Sequence, residues 1–461
     1  MTQAPVATVT IAPGTLRLLL GASGQLTATT RDANGIALPG RSVTWASTDV
    51  NVAAVSTLGV VTTAGDGTVT ITATSEGKIG SAQVTVTSVS TVAFASVVTG
   101  GAHTCALTAA LAAYCWGRGE SGQLGVASPG TTCSFDTSSS PCSLVPVAVG
   151  GGLFFARLTA GGAHTCGLTN IGTVFCWGSN ASGQLGNNST IASPLPVIVA
   201  TSVRFASIDA GLDHTCGVAH DGSVYCWGRN DRGQLGDGTS SARLLPAKVV
   251  GELSFQLVTA GGYTRGHTCG VTVAGDAYCW GDNENGQLGI GNADLSAHPL
   301  PAQVSSGLKF LSLSAGLGSH TCGRAAAGST HCWGANTFGA LGNGSTTDSP
   351  VPVQVSGGAA FAQVVAGGYI GHTCALTSGG AALCWGENSA GATGDGTTGD
   401  PLTPSPVAGG RVWATIDAGF RHTCGQDSSG ALHCWGSGRA GQLGNNGTGQ
   451  SNLPLKVVGQ P

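Results

Sequence analysis

The chain has 461 residues, of which 77 are glycine, one is methionine and only 9% are charged. This composition is typical of many short strands and tight turns rather than helices, which predicts an all-β protein. The formal net charge of −4 is spread along the chain without acidic or basic runs, which argues against nucleic acid or an anionic membrane surface as a partner. The apolar stretches are far shorter than the roughly 20 residues that span a bilayer, so direct membrane insertion is not expected.

The first predicted domain covers residues 1–90 and is an Ig-like β-sandwich. Alternating strands such as VATVTIA, SVTWAST and GTVTITATS occur within residues 5–88, with turns at Gly35, Gly59 and Gly67. The stretch VTWASTDVNVAAVSTLGVVTTAGDGTVTITAT resembles the bacterial Ig-like group 2 domain, which is common on surface and secreted proteins. The resemblance implies a spacer or adhesion module. The linker that follows, residues 89–91, is short, which predicts a limited range of angles between the domains.

Residues 91–461 contain a repeat. The triplet His-Thr-Cys occurs seven times, each copy is followed by Cys-Trp-Gly, and the second cysteine always falls ten residues after the first. One repeat contains four short strands, predicted at 195–199, 205–210, 214–219 and 223–228, and four strands in about 50 residues correspond to one propeller blade. The sequence therefore predicts a seven-bladed β-propeller. Because the chain enters on a predicted second strand (94–101) and leaves on a predicted first strand (453–458), we expect its C-terminal strand to close the ring in a shared blade.

The motifs AGGxHTCxLT and WGxNxxGQLG resemble the regulator of chromosome condensation repeat family over roughly residues 91–461. The resemblance implies a seven-bladed propeller whose members bind proteins, guanine-nucleotide switches or chromatin through loops at one rim. This chain differs from the nuclear members because it carries a cysteine pair in every blade and lacks a basic tail. These differences argue against chromatin binding and nucleotide exchange.

Sixteen cysteines predict an oxidising compartment, either periplasmic or extracellular, unless they bind metal. Ten-residue spacing fits a hairpin in which paired cysteines face each other, so we predict one disulfide within each blade, and a further one that closes an insertion unique to the first repeat. The predicted pairs are Cys105–Cys115, Cys166–Cys176, Cys216–Cys226, Cys269–Cys279, Cys322–Cys332, Cys374–Cys384 and Cys424–Cys434, with Cys133–Cys142 in the insertion. The alternatives are buried free thiols and zinc, but zinc needs four convergent ligands and each blade offers two sulfurs. No metal is therefore predicted. The first residues, MTQAPVATVT, do not have the pattern of a signal peptide, so export requires a leader outside this sequence or another route.

Residues that recur in every blade are predicted to build the fold. The repeat histidines could form a ring of ligands or proton carriers, but a blade-building role, such as an imidazole hydrogen bond to a neighbouring backbone group, explains their recurrence better. By the same reasoning the tryptophans of Cys-Trp-Gly are predicted to pack in the core. Asp209 and Asp417 occupy equivalent strand positions, which favours local structure over an acid/base pair. The sequence contains no G-x-S-x-G, H-E-x-x-H or P-loop motif, so no catalytic residue and no cofactor is predicted, and a propeller glycosidase is the remaining enzymatic alternative.

Function is predicted where the blades differ. The loop before each His-Thr-Cys triplet varies from the single residue Ala102 to the four residues 263–266, and aromatic and arginine side chains, which are frequent at binding hot spots, occur there in blades four, six and seven. The predicted partner-binding residues are Tyr263, Arg265, Tyr369, Ile370, Phe420 and Arg421. The alternative is ordinary variation of loop sequence.

These observations predict a non-catalytic protein-binding or scaffold protein outside the cytoplasm. Its partner would be a protein, for example a membrane protein complex on whose outer or periplasmic side the chain docks as an accessory subunit. Two alternatives are a lectin-like or cell-wall-binding adhesin and an inhibitor of an extracellular enzyme, the latter being implied by the family resemblance.

Overall fold

The chain forms two compact units, Met1–Thr91 and Val92–Pro461. The computed structural model describes residues 4–19, 23–87, 92–135, 138–262, 264–368 and 371–460. In these ranges all regular elements are β-strands. The predicted linker, residues 89–91, lies outside the described residues.

The described residues of the first unit form nine strands in three small sheets. They are β1 (Thr8–Ala12), β2 (Thr15–Leu19), β3 (Ser23–Gln25), β4 (Thr27–Arg31), β5 (Thr44–Ser47), β6 (Ala53–Val55), β7 (Val60–Thr63), β8 (Gly67–Ser75) and β9 (Lys78–Thr87). The sheet orders are β1-β4, β2-β9-β8-β5 and β3-β7-β6. Apolar residues alternate along the two long strands, so that Val69 and Ile71 of β8 and Val84 of β9 all face a buried core.

The second unit contains seven sheets within its described residues, each one a blade of antiparallel strands. The first blade contains β10 (Phe94–Thr99), β11 (His103–Thr108), β12 (Ala113–Arg118), β13 (Thr131–Phe135) and β14 (Ser138–Ala148). The second contains β15 (Arg157–Ala160), β16 (His164–Leu168), β17 (Val174–Gly178) and β18 (Ser193–Ile198), and the third β19 (Phe205–Ala210), β20 (His214–Ala219), β21 (Val224–Gly228) and β22 (Arg243–Lys248). The fourth contains β23 (Phe255–Gly261), β24 (His267–Thr272), β25 (Ala277–Asn283) and β26 (Asp294–Gln303), and the fifth β27 (Phe310–Ala315), β28 (His320–Ala325), β29 (Thr330–Gly334) and β30 (Ser349–Gln354). The sixth contains β31 (Phe361–Ala366), β32 (His372–Thr377), β33 (Ala382–Gly386) and β34 (Ser405–Pro406), and the seventh β35 (Trp413–Ala418), β36 (His422–Asp427), β37 (Leu432–Gly436) and β38 (Ser451–Lys456).

The order of strands within a blade differs from the predicted order. The segment predicted as a first strand at 195–199 forms most of β18, which pairs with β17 as the outermost strand of the preceding blade. The chain enters on the innermost strand of blade one and leaves on β38, which pairs with β37 of blade seven. The predicted shared blade is therefore wrong, because each end of the chain completes a blade of its own. A four-strand repeat can be divided at any strand, and only the pairing between strands decides where a blade begins.

The disulfide of each blade packs against the next blade. In one such core, the buried pair Cys105–Cys115 lies with Phe155 and Trp177 of blade two. The same arrangement recurs at every junction, including the closing one, where Cys424–Cys434 lies with Phe94 and Trp116. All seven motif tryptophans are fully buried, so they pack in the core as predicted. Blades seven and one are thus joined by an apolar core of the same kind as the others.

The seven repeat histidines link the blades in a closed ring. Each Nε2 lies 2.9 to 3.0 Å from the threonine Oγ1 of the next blade. The pairs are His103–Thr165, His164–Thr215, His214–Thr268, His267–Thr321, His320–Thr373, His372–Thr423 and His422–Thr104. Each threonine hydroxyl donates to a backbone carbonyl, so its oxygen accepts the imidazole N–H. The histidines therefore build the fold, but their partner is a side-chain hydroxyl rather than the expected backbone group.

The insertion in the first repeat is a hairpin at the outer edge of blade one. Strand β13 pairs with β14, which in turn pairs with β12. The disulfide Cys133–Cys142 joins the two strands of this hairpin. The sixteen cysteines thus form eight disulfides, seven within blades and one in the insertion.

Candidate protein-binding rim

One rim of the propeller carries two sets of loops. The first set joins the first and second strands of each blade, and the second set, the glycine-rich crossovers, joins the third and fourth strands. A backbone hydrogen bond of 2.7 to 2.9 Å ties the crossover to the first loop in every blade, for example from Ser179 N to Ala163 O and from Ser437 N to Arg421 O. We call this rim the crossover rim. As predicted from alternating strand direction, the variable loops and the crossovers lie on the same side.

At the crossover rim the inner strands approach each other too closely for side chains. A Cβ on Gly161 would lie 2.3 Å from the carbonyl oxygen of Gly211, and a Cβ on Gly419 would lie 2.5 Å from that of Gly100. These glycines belong to the Ala-Gly or Thr-Gly pairs that end the inner strands. Since the backbone is fixed there, variation between the blades is confined to the residues that follow.

The central channel contains the two carboxyl groups noted in the sequence. Asp209 accepts hydrogen bonds from Thr159 Oγ1 and Ala260 N, each at 2.9 Å, and so connects three successive blades. Asp417 accepts hydrogen bonds from the backbone N and Oγ1 of Thr99, which connects blade seven with blade one. Burial raises the pKa of both groups, that of Asp417 to about 6. Both side chains line a cavity of about 480 Å³, and the described residues contain no cluster of three His, Cys, Asp or Glu side chains suited to a metal.

Three of the six predicted partner-binding residues, Tyr263, Tyr369 and Ile370, lie outside the described residues. Arg265 lies on the crossover rim in blade four, where its guanidinium forms an ion pair of 2.5 Å with Glu284. Phe420 and Arg421 lie together in blade seven, and both are half-buried. Arg265 and the pair Phe420–Arg421 are therefore separate features of the rim.

Phe420 has a packing role that the sequence did not predict. A Cβ on Gly368 would lie 2.5 Å from the Phe420 ring, and one on Gly101 would lie 3.0 Å from it. The ring thus covers the backbone of both neighbouring blades. Phe420 was predicted as a partner-binding residue, and this contact gives it a structural role as well.

Phe420 and Arg421 line a cavity of about 250 Å³, to which blades six, seven and one all contribute residues. Two further arginines, Arg118 and Arg439, line the same cavity, and none of the described residues that line it is an Asp or a Glu. Alanines and the Phe420 ring form its apolar wall. We call this cavity the arginine pocket.

Arg118 and Arg439 were missed at the sequence level, although a signal was present. In blades two to six the crossover begins Trp-Gly-x-Asn, and in blade two the Asn180 side chain donates to Ser189 O and Ile191 O and accepts from Leu185 N. Blades one and seven carry Gly119 and Gly438 at this position. These two crossovers lack the internal asparagine, and both line the arginine pocket, to which the crossover of blade six contributes Ser389 and Ala390.

Other arginines of the crossover rim are paired with carboxylates. Arg229 binds Asp231 at 2.8 Å, and Arg232 lies 3.7 Å from Asp282. Arg118 also has a partner, Glu120, at 2.5 Å, but Glu120 is not part of the pocket lining. Paired arginines therefore occur both at the arginine pocket and elsewhere on the crossover rim.

Comparison with protein families identifies both units. Models of the regulator of chromosome condensation (RCC1) repeat match residues 172–218, 221–269, 274–323 and 327–376, and a second set matches 155–184, 205–234, 258–287, 361–392 and 410–442. The bacterial Ig-like domain (group 2) model matches residues 5–88. The chain belongs to the RCC1 repeat family and carries a bacterial Ig-like domain before its propeller. The predicted all-β fold with these two parts is confirmed.

Individual relatives agree over part of the chain. The ultraviolet-B receptor UVR8 of Arabidopsis thaliana is 34% identical over 140 residues, which are 30% of this chain and 31% of the receptor. The E3 ubiquitin-protein ligase HERC2 of Homo sapiens is 29% identical over 132 residues, 28% of this chain and 3% of the ligase. The chain thus spans less than a third of these curated relatives.

Solved structures show the same fold. Human WBSCR16 matches with a TM-score of 0.66 at 20% identity, over 75% of this chain and 94% of that one. Prp20p from Saccharomyces cerevisiae matches with a TM-score of 0.60 at 21% identity, over 70% of this chain and 80% of that one. No helix long and apolar enough to cross a membrane occurs in the described ranges.

Proposed function

We propose that this chain is a non-catalytic, extracytoplasmic protein that holds a protein partner on its crossover rim. The observation that carries this proposal is the arginine pocket, where three arginines and Phe420 lie at positions that vary between the blades. Arginine and aromatic residues are the types most often found at the centres of interfaces. A relative offers support at the level of fold, since the yeast RCC1 protein Prp20 has been crystallised bound to Kap60.

The location outside the cytoplasm is supported by the disulfides. Every blade contains one, and the described residues include no free cysteine. Such a density of disulfides is stable in the periplasm or outside the cell, where thiols are not kept reduced. A protein in that compartment could serve as an accessory subunit docked on the outer side of a membrane complex, which is the form of the proposal that we favour.

Affinity capture from the native cell envelope tests this proposal. The full chain and two variants serve as baits: Arg421→Ala with Arg439→Ala, and Phe154→Ala with Lys309→Ala on the opposite rim, where Phe154 is 61% exposed and Lys309 pairs with Asp276. We expect the first variant to lose the partner and the second to retain it. Equal capture by both variants, or loss only with the second, would show that the crossover rim is the wrong face. Recovery of glycan instead of protein would favour the adhesin.

A further inference from the structure

The junction of blades seven and one differs from the other six because the chain does not continue across it. At every other junction the outermost strand of one blade leads into the innermost strand of the next, whereas β10 and β38 are the first and last strands of the propeller. We propose that Thr99 and Asp417 form a pH-sensitive latch on this closing junction. The latch gains strength as the pH falls from 7 to 5 and so offsets part of the loosening that His422 causes there.

Side-chain oxygens at one inner-strand position tie neighbouring blades together around the central channel. The position lies two residues before the glycine at the end of each inner strand, and its oxygen accepts a hydrogen bond of 2.6 to 3.0 Å from a backbone N–H of the next blade. The pairs are Thr159 with Ala210 N, Asp209 with Ala260 N, Thr259 with Ala315 N, Ser314 with Ala366 N and Asp417 with Thr99 N. Blades one and six have Val98 and Val365 there, which carry no side-chain oxygen. At the closing junction a carboxyl group thus makes the contact that hydroxyl groups make at most of the others.

The donor at the closing junction is also exceptional. The residue directly before the glycine is threonine in blade one and alanine in the other six blades: Ala160, Ala210, Ala260, Ala315, Ala366 and Ala418. Thr99 donates its N–H at 2.6 Å and its hydroxyl at 2.9 Å, and both bonds go to Oδ2 of Asp417. A proton on the other oxygen, Oδ1, therefore leaves both bonds in place. In Asp209, by contrast, the two oxygens accept from different blades, one from Thr159 Oγ1 and one from Ala260 N.

Protonation of Asp417 strengthens the closed junction because it removes a buried charge. Burial raises the pKa of Asp417 from 3.8 to about 6, although the hydrogen bonds from Thr99 favour the ionised form. Asp209 lines the same channel cavity and raises this pKa further, and Arg157 is the other charged residue among the described residues of the lining. When the junction opens, the carboxyl group returns to water and to its ordinary pKa. The contribution of Asp417 to closure is therefore complete below about pH 4 and is lost as the pH rises through 6.

His422 acts at the same junction with the opposite sign. Its Nε2 lies 3.0 Å from Thr104 Oγ1 of blade one, and burial lowers its pKa to about 3, with a further contribution from His103 and His372. Its contribution to closure is complete above about pH 6.5 and is lost as the pH falls. Every His-Thr pair of the ring weakens in this way, but the other six junctions are also joined by the chain. A carboxyl group that gains strength in acid therefore lies at the junction that has no such connection.

Asp417→Asn tests the latch, because its amide oxygen can accept both hydrogen bonds from Thr99 but cannot ionise. The measurement is hydrogen exchange at the Thr99 N–H of the full oxidised chain, expressed as protection relative to an unstructured peptide, at pH 7 and pH 5. From the two pKa values we expect the ratio of protection between the parent and Asp417→Asn to rise about tenfold from pH 7 to pH 5. His422 is present in both proteins, so its effect cancels in this ratio. At Ala315 N, the corresponding donor between blades four and five, the ratio should be the same at both pH values.

Thr99→Ala provides a second variant that the fold should accommodate, since alanine is the residue of the other six blades. It removes the hydroxyl bond and keeps the N–H bond, so we expect protection of the N–H at position 99 to fall about tenfold at pH 7. We also expect the titration of the Asp417 carboxyl group, followed by its ¹³C resonance and assigned by its absence from Asp417→Asn, to move upward from a midpoint near pH 6. A role of Thr99 in packing alone would leave that midpoint unchanged.

Four results would overturn the latch. The first is a titration midpoint of Asp417 near pH 4 in the parent protein, and the second is a protection ratio at Thr99 that is the same at pH 7 and pH 5. The third is an equal change of the ratio at Ala315 N, which would mean that the carboxyl group acts on the whole ring and not on one junction. The fourth is an unaltered midpoint in Thr99→Ala.

Discussion

At the scale of single residues, the His-Thr pairs explain why the triplet His-Thr-Cys recurs. The threonine hydroxyl accepts from the histidine of the preceding blade and donates to a main-chain carbonyl, so that one side chain satisfies two buried groups. The tryptophan N–H shares that carbonyl at six of the seven junctions, for example Trp227 Nε1 with Gln184 O at 2.9 Å. The threonine of each triplet is therefore required by the histidine of the neighbouring blade as well as by the carbonyl to which it donates.

Replacement of Thr215 tests this link. Thr215→Val keeps the shape of the side chain but leaves the buried His164 N–H without an acceptor, so we expect a loss of about 2 to 3 kcal/mol in the free energy of unfolding. Thr215→Ser retains the hydroxyl and should lose about half as much or less. Denaturant unfolding of the oxidised protein measures both variants. Equal losses would mean that the methyl group, and not the hydrogen bond, provides the stabilisation.

The buried histidines also predict a dependence of stability on pH. Burial lowers the pKa of His103 to about 4 and that of His214 to about 3, and the other five repeat histidines are lowered similarly. The unfolded chain binds protons near pH 6.5 while the folded chain does not, so stability is complete above about pH 6.5 and is lost as the pH falls towards 4. Below pH 6.5, each histidine lowers the free energy of unfolding by up to roughly 1.4 kcal/mol for every unit by which the pH falls. Asp417 has a pKa raised to about 6, so its protonation between pH 6 and 4 favours the folded state. The combined effect of the seven histidines is larger than the effect of this one carboxyl group.

Unfolding in denaturant at pH 7, 5.5 and 4.5 provides the measurement. We expect the propeller transition to move to much lower denaturant concentration at acid pH. The Ig-like unit is an internal control, because residues 1–91 contain no histidine. A propeller transition that is unchanged at pH 4.5 would contradict neutral burial of the imidazoles.

At the scale of elements, one turn departs from the repeat. The turn between the second and third strands has a glycine with positive φ in six blades: Gly172, Gly222, Gly275, Gly328, Gly380 and Gly430. Blade one has Leu111 there, with φ of 66°. A side chain in this left-handed region costs roughly 1 to 2 kcal/mol, so Leu111 is held at some expense of stability.

Leu111 therefore offers a test of backbone strain. Leu111→Gly removes the left-handed penalty, adds an unfolded-state entropy cost of about 0.5 to 1 kcal/mol and loses a side chain that is 38% exposed. We expect stability to stay within about 1 kcal/mol of the parent. Leu111→Val, which is β-branched, should be less stable than either, because left-handed φ is least accessible to such residues. Thermal unfolding of the three proteins gives the order, and a Val variant as stable as the parent would refute it.

Two disulfides of nearly equal span make a matched pair. Cys216–Cys226 closes ten residues inside a blade core, whereas Cys133–Cys142 closes nine residues in the hairpin outside blade one. Replacing the first pair by Ala should destabilise the propeller by about 2 to 4 kcal/mol. Replacing the second pair should leave global unfolding nearly unchanged and increase hydrogen exchange only in β13 and the adjoining part of β14. Equal global losses would mean that the hairpin unfolds together with the ring.

The elements also show what the sequence could predict. Strand positions, the paired cysteines and the buried tryptophans followed from local spacing, because each depends on a hairpin within one repeat. The strand at which each blade begins could not be predicted in this way, because it depends on which strands pair with one another. Two of the three pocket arginines were missed for the same reason: Arg118 and Arg439 are distant in the sequence and meet only where the ring closes.

At the scale of the whole molecule, every blade strand that the structure describes comes from the second unit, and these blades enclose apolar cores of their own. We expect residues 92–461, expressed under oxidising conditions, to fold as a ring. Circular dichroism and a thermal transition matching that of the propeller in the full chain would verify this. Aggregation of the fragment, with the full chain soluble under the same conditions, would show that the Ig-like unit contributes to the ring.

The disulfides have a consequence for how the molecule is made. All eight join cysteines nine or ten residues apart, and none connects two blades. A chain that emerges from its N-terminus presents both thiols of a pair almost together and before the next pair, so the correct partner is always the nearest one. Oxidation can therefore proceed in step with emergence and without reshuffling of earlier bonds. What must wait for the last blade is the non-covalent junction with the first, and with it the arginine pocket, which exists only in a finished molecule.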